Sequence, residues 1–113
     1  MEKAILVADD ERHITRLLEA NLTRQGYAVT CVYDGQAALD ALRTSTFHAA
    51  VLDHVMPIVD GYEVLTWIRT NEATKGMWVA MLSTQAEELQ KSDLEHQPNK
   101  WLSKPFNPND LFS

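Results

Sequence analysis

The chain reads as an α/β domain, a doubly wound five-stranded parallel sheet flanked by helices. Three observations predict it. Short apolar runs alternate with amphipathic stretches along the whole sequence. Runs such as Ala4-Ile5-Leu6-Val7-Ala8 and Ala49-Ala50-Val51-Leu52 are apolar throughout, as strands covered on both faces are. Polar residues gather where those runs stop, and ligands of such sheets bind at the carboxyl ends of the strands.

Residues 4–8 form the first predicted strand. A helix over 12–25 follows, with Ile14, Leu17, Leu18 and Leu22 at helical spacing and Gly26 as its stop. Residues 28–32 are a strand, and 35–45 a helix through Ala38, Ala41 and Leu42. Residues 48–52 are the third strand. Val64, Leu65 and Ile68 mark a helix over 61–72, preceded by Asp60-Gly61 as turn and cap. Residues 78–82 are the fourth strand. Leu89 and Leu94 are five apart and share no helical face well, so a short polar helix over 86–95 is the weakest of the expected elements. A strand at 100–103 leads to a helix start at Asn107-Pro108-Asn109-Asp110, where Pro108 suits the first turn. The sequence ends at Ser113, so a truncated fifth helix is expected, with apolar surface left uncovered beside it.

With 113 residues, 45% of them apolar, one domain spanning 1–113 with a single core is expected. A net charge of -6, without a basic stretch interleaved with aromatics, argues against direct nucleic-acid binding by this segment. The single cysteine, Cys31, rules out an internal disulfide and a cysteine-based zinc site. His13, His48, His54 and His96 share no metal-ligand spacing, and Trp67 and Trp78 read as packing residues. With no signal peptide and no long apolar span, a cytoplasmic location without a membrane anchor is expected.

The chemistry lies at the strand ends. Asp9-Asp10-Glu11 closes the first run, Asp53 the third, Ser83 the fourth, and Lys104-Pro105 the fifth. Taken singly, each has an ordinary reading: acids suit a helix N-terminus, an aspartate caps a turn, a serine sits in a loop, a lysine is solvated. Together they supply an acid pair, a further acid, a hydroxyl and an amine at one edge of the predicted sheet. Clustered carboxylates repel and raise at least one pKa, and a hard divalent cation reverses that. Carboxylates, a metal and a lysine are the parts that phosphoryl transfer needs.

With these residues in view, the chain resembles the receiver domain of bacterial two-component response regulators, which has a flavodoxin-like fold. The carrying motifs are Leu6-Val7-Ala8-Asp9-Asp10-Glu11, Asp53-His54-Val55-Met56-Pro57-Ile58-Val59-Asp60-Gly61, Leu82-Ser83 and Trp101-Leu102-Ser103-Lys104-Pro105-Phe106. The resemblance implies that Asp53 is the phosphoacceptor. It implies Mg²⁺ held by Asp10, Asp53 and the backbone carbonyl of Val55, with Asp9 acting through water. Ser83 would hydrogen-bond the phosphoryl group, Lys104 would pair with its oxygens or the carboxylate, and Trp101 would be the aromatic switch residue. A cis peptide before Pro105 is implied as well. The implied partners are a sensor histidine kinase or phosphotransfer protein, and an effector domain or second copy on the face of the fourth helix, fifth strand and fifth helix. A receiver of this kind is not an enzyme beyond its own phosphorylation and dephosphorylation, and it opens a longer protein or is a trimmed piece of one.

The sequence departs from the family pattern in places. Thr84 stands where a smaller residue is usual, and with Val55 and Gln85 it is a candidate for tuning phosphate loss. Glu95-His96-Gln97-Pro98-Asn99-Lys100 replaces the small-residue turn that usually precedes the fifth strand. Two other functions compete. A Mg²⁺-dependent aspartyl phosphatase or phosphotransferase of the haloacid-dehalogenase type would need an acid two residues after the nucleophile, where Val55 stands. A receiver-like interaction module that is never phosphorylated would not need the full set Asp9, Asp10, Asp53, Ser83 and Lys104.

Overall fold

The structure is a computed structural model that describes residues 3–112; the expected domain limits at 1 and 113 lie outside them. Five strands, β1 (Ala4–Ala8), β2 (Ala28–Val32), β3 (Ala49–Asp53), β4 (Trp78–Ser83) and β5 (Lys100–Ser103), form one sheet. The order is β2-β1-β3-β4-β5 and every pairing is parallel. The helices are α1 (Arg12–Arg24), α2 (Gly35–Thr44), α3 (Gly61–Thr70) and α4 (Ala86–Gln90), and a single 3₁₀ turn covers Pro108–Asp110.

Alternation along the strands explains why the runs are apolar throughout. Leu6, Ala8, Ala50, Leu52, Val79 and Met81 point to one face, under Ala38, Leu42, Val64, Leu65 and Ile68 of α2 and α3. Ile5, Val7, Ala49, Val51, Ala80 and Leu82 point to the other, under Leu18 and Leu22 of α1. Strand order reverses between β1 and β3, which places a cleft at their carboxyl ends.

Local chemistry sets the helix ends. Asp34 and Asp60 cap α2 and α3 by accepting from the N–H groups of Ala37 (2.7 Å) and Glu63 (2.9 Å). Gly26, at φ +97°, closes α1 by donating to Thr23 O, while Tyr27 N donates to Leu22 O. At Gly61 the constraint is space: a Cβ there would run into the Asp53 carbonyl. The aspartate–glycine pair thus both caps α3 and lets its first turn lie against the end of β3. Between them, Ile58 holds φ 74° and is exposed, an uncommon conformation for a β-branched side chain.

Most element limits agree with the sequence within two residues. One expectation is corrected. The helix expected over 86–95 ends at Gln90. The segment that follows is tied to α3 instead: Arg69 donates from Nη2 to Asn99 Oδ1 (2.9 Å) and from Nε to Gln97 O (3.4 Å), while its Nη1 holds Lys75 O (3.1 Å) and Met77 O (2.7 Å) ahead of β4. Tyr62 Oη accepts from His96 N, and Asn99 Oδ1 accepts from Val79 N. These side-chain bonds do the work that a small-residue turn and a longer helix would otherwise do. Beside the 3₁₀ turn, Phe112 is exposed, and Ile14, Tyr27, Trp78 and Phe106 are only partly buried. Leu111 is buried over the sheet, and Phe112 packs on Tyr27 and Trp78 with ring centroids 5.6 and 5.1 Å apart.

Two stability measurements follow. Arg69→Ala strands several carbonyl groups at once and should lower unfolding free energy by about 2–3 kcal/mol in a denaturant titration; a loss within 0.5 kcal/mol would mean the clamp is redundant. Ile58→Asn, placing a residue that tolerates the left-handed region, should raise stability by about 0.5–1 kcal/mol in the same assay.

Candidate functional site

Asp53 is the last residue of β3 and is almost wholly buried, 5% exposed. Asp9 follows β1 directly and is fully buried. Between them sits Lys104, just beyond β5. Its Nζ lies 3.1 Å from Asp53 Oδ1, 3.1 Å from Asp9 Oδ2 and 3.0 Å from Glu11 Oε1. The bond between Lys104 and Pro105 is cis, as the resemblance implies. Asp9 Oδ1 accepts from Glu11 N at 2.9 Å. Its Oδ2 is shut off from solvent and, although at ion-pair distance from the ammonium, makes no hydrogen bond of good geometry.

The electrostatics are unbalanced. Burial, then the neighbouring Asp9 carboxylate, push the Asp53 carboxyl up to about 7, against the pull of Lys104. Burial works against the charge of Lys104, but its bond to Glu11, its close ion pair with Asp9 and the charge of Asp53 more than offset this and hold the ammonium well above its usual value. Glu11 is lowered by its bond to Lys104.

Glu11, Asp53 and Lys104 line a cavity of about 280 Å³, together with Asp10, His54, Val55, Ser83 and Thr84. Asp9, Asp10, Glu11 and Asp53 each offer a carboxylate oxygen within 4.8 Å of the others. Four carboxylates face one ammonium. A hard divalent cation fits this set: the donors are all oxygen, one buried carboxylate oxygen lacks a good partner, and the excess negative charge is what such an ion neutralises.

The fold therefore gathers Asp10, Asp53, Val55, Ser83, Thr84 and Lys104 at one cavity, with Asp9 buried beside it against Lys104. Val55 and Thr84 are exposed at it. Gln85 does not line the cavity; its backbone N–H donates to Ser83 Oγ at 2.9 Å. Trp101 lies apart, partly buried on the α2–α3 side of the sheet, with its indole N–H donating to Gln97 Oε1 at 2.9 Å. Two participants went without a role in the sequence reading. Glu11 shares Lys104, and its place in the acidic run was the only hint. His54 Nδ1 lies 3.3 Å from Ser83 Oγ, and adjacency to Asp53 was its only signal.

Comparison with known proteins agrees with this geometry. Residues 5–113 match the family model of the response regulator receiver domain, and the chain belongs to that family. It is 38% identical over 112 residues to the alkaline phosphatase synthesis transcriptional regulatory protein PhoP of Bacillus subtilis, covering 98% of this chain and 46% of that protein. It is 33% identical over the same length to the transcriptional regulatory protein GltR of Pseudomonas aeruginosa, again 46% of that protein. The chain thus spans about half the length of the curated relatives it matches. Among solved structures it resembles the chemotaxis response regulator CheY4 of Vibrio cholerae, with TM-score 0.89 and 28% identity over 98% of this chain and 93% of that one. It also resembles the receiver domain of the sensor histidine kinase PA1611 from Pseudomonas aeruginosa, described with a magnesium ion coordinated in its active-site cleft. There the TM-score is 0.85, with 28% identity over 98% and 92% of the two chains. The chain is a receiver domain with the phosphoacceptor signalling function of two-component response regulators. Among the described residues no helix is long and apolar enough to cross a membrane.

The raised Asp53 carboxyl has a thermodynamic consequence in metal-free protein. Its folded pKa, about 7, lies above the ordinary 3.8, so the stability it contributes is present below about pH 4 and lost as pH rises through 7. Asp53→Asn should therefore stabilise the metal-free domain at pH 8 by about 1–3 kcal/mol, and by little at pH 4. Thermal unfolding in EDTA at both pH values measures this, and equal effects at the two would contradict the burial argument.

Proposed function

We propose that Asp53 is the residue that takes the phosphoryl group, with Lys104 and Ser83 stabilising it and a Mg²⁺ ion held by Asp10, Asp53 and the Val55 carbonyl, Asp9 acting through water. The observation that carries this reading is the Asp53–Lys104 pair: a buried carboxylate at the end of a central strand, 3.1 Å from a lysine and open to a cavity lined by further acids.

The reaction follows from these groups. A carboxylate oxygen of Asp53 attacks the phosphorus of a phosphohistidine, on a sensor kinase or phosphotransfer protein in the cytoplasm. The P–O bond forms as the P–N bond breaks, and the electron pair leaves with the imidazole nitrogen, which takes up a proton. A poor nucleophile suffices because the sheet holds Asp53 in place and the developing charge is met by fixed groups. Lys104, already aimed at Asp53 Oδ1, presents its ammonium to the equatorial oxygens. The Ser83 hydroxyl donates to another oxygen. Bound Mg²⁺ would supply positive charge shared between the carboxylates and the phosphoryl oxygens.

Signalling, rather than turnover of an external substrate, is supported by Val55. It is apolar and 71% exposed where an aspartyl phosphatase would carry its general acid. A module that is never phosphorylated would have no use for the buried cluster around Lys104, which costs free energy to assemble. Movement of Ser83 toward the phosphoryl group, followed by Trp101, would carry the signal to the face around α4 and β5, where an effector domain or a second copy would dock. The shortness of α4 makes that face differ in shape from one built on a full helix. Val55 and Thr84 line the cavity and Gln85 is bonded through its backbone to Ser83, and these three are the positions proposed to set the lifetime of the phosphoryl group.

Intact mass after incubation with Mg²⁺ and acetyl phosphate tests the reading. The parent chain should gain one phosphoryl increment, lost when EDTA is present, while Asp53→Asn should gain none. An increment that survives Asp53→Asn would place the acceptor elsewhere.

A further inference from the structure

The Ser83 hydroxyl is already engaged in the unmodified protein. Ser83 is 3% exposed and ends β4. One lone pair of its Oγ accepts from Gln85 N at 2.9 Å, a turn that fixes the side-chain rotamer. On its other side lies His54 Nδ1 at 3.3 Å. The ring is carried on a fixed stretch of backbone: His54 N donates to Leu82 O at 2.8 Å, and His54 O accepts from Gly61 N at 2.9 Å. It therefore stands on the backbone bridge that joins the ends of β3 and β4 to the start of α3.

A hydroxyl has one proton to give. Among the described residues the hydrogen-bond neighbour on that side is His54 Nδ1, and a bond in which Ser83 donates requires this nitrogen to carry no proton. A phosphoryl group on Asp53 brings new acceptor oxygens into the same cavity. The single proton cannot serve both. From this we propose that His54 is a positioning residue that holds the Ser83 hydroxyl away from the phosphoryl site and sets the threshold of the switch: phosphorylation exchanges the Ser83–His54 bond for a Ser83–phosphoryl bond.

This rests on Asp53 as the phosphoacceptor. It adds that a residue next to the acceptor, itself outside the proposed metal ligands, opposes the active state. The energy at stake is that of one hydrogen bond, enough to shift a two-state equilibrium severalfold. His54→Phe keeps the ring and removes the acceptor. His54→Asn keeps an acceptor oxygen close to the position of Nδ1.

The test is the affinity of the full chain for beryllofluoride, a phosphoryl analogue, at saturating Mg²⁺. Asp53→Asn is the negative control, and each His54 variant is also made on a Ser83→Ala background. His54→Phe should bind about three- to tenfold more tightly than the parent. His54→Asn should bind like the parent, and the gain should vanish when Ser83 is alanine. A second readout needs no ligand. The ¹⁵N signal of His54 Nδ1 in the unmodified chain should shift in Ser83→Ala, and should move the same way in the parent on binding beryllofluoride. An unchanged or weaker affinity in His54→Phe, with the parent still binding, overturns the role of His54 alone. So does a gain that persists without the Ser83 hydroxyl, or an Nδ1 signal that ignores Ser83. A parent that binds no better than Asp53→Asn overturns the phosphoacceptor reading, and this inference with it.

Discussion

The ammonium of Lys104 is the interaction on which the site depends. Three carboxylates, those of Asp9, Glu11 and Asp53, lie within 3.1 Å of it. Two of them are buried, and buried charges that lack partners are expensive. Lys104 is the nearest source of compensation among the described groups, and it compensates incompletely, as the raised Asp53 carboxyl shows. A pocket that is short of positive charge is poised for a cation. In this sense the same imbalance that costs folding free energy prepares the site for a metal and for phosphoryl oxygens.

The scaffold explains how such a cluster is held. Strands buried on both faces give β1, β3 and β4 rigid, dry ends, and the parallel arrangement brings those ends to one edge. Gly61 permits α3 to begin against the Asp53 carbonyl, and Asp60 caps that helix, so the loop carrying His54 and Val55 is pinned at both ends. The opposite situation holds beyond β4. There α4 is barely more than one turn, and the stretch to β5 depends on Arg69, Tyr62 and Asn99. Trp101 is tied into that stretch through Gln97, whose backbone carbonyl accepts from Arg69. The firm half of the molecule holds the chemistry, and the half held by side-chain hydrogen bonds holds the proposed output face. Local opening is easiest where buried apolar contacts are few.

The acids, the hydroxyl and the lysine could be found in the one-dimensional sequence because each follows an apolar run, and parallel topology makes run ends neighbours. The cap at Asp60 was equally local, since a capping side chain reaches only three residues along its own chain. The length of α4 was another matter. Leu89 and Leu94 share no face, but nothing local announced that Arg69 would reach across to Gln97 and Asn99 to stabilise an irregular path in place of a helix. Nor was it local that Phe112 turns back onto Tyr27 and Trp78, rings far away in sequence.

Hydrophobic period and the residues that end each run are properties of short windows, and they were enough to establish fold class, family resemblance and the membership of the acidic site. Pairings between groups far apart in the chain were not. That Lys104 is shared with Glu11, ninety-three residues away, and that His54 faces Ser83, twenty-nine away, depend on the register of β3, β4 and β5 and on rotamers chosen by burial. A one-residue change of register would turn the same side chains to the opposite face. Side-chain identity specifies which bonds are possible; only the packed sheet selects among them, because desolvation makes one set of partners far cheaper than the rest.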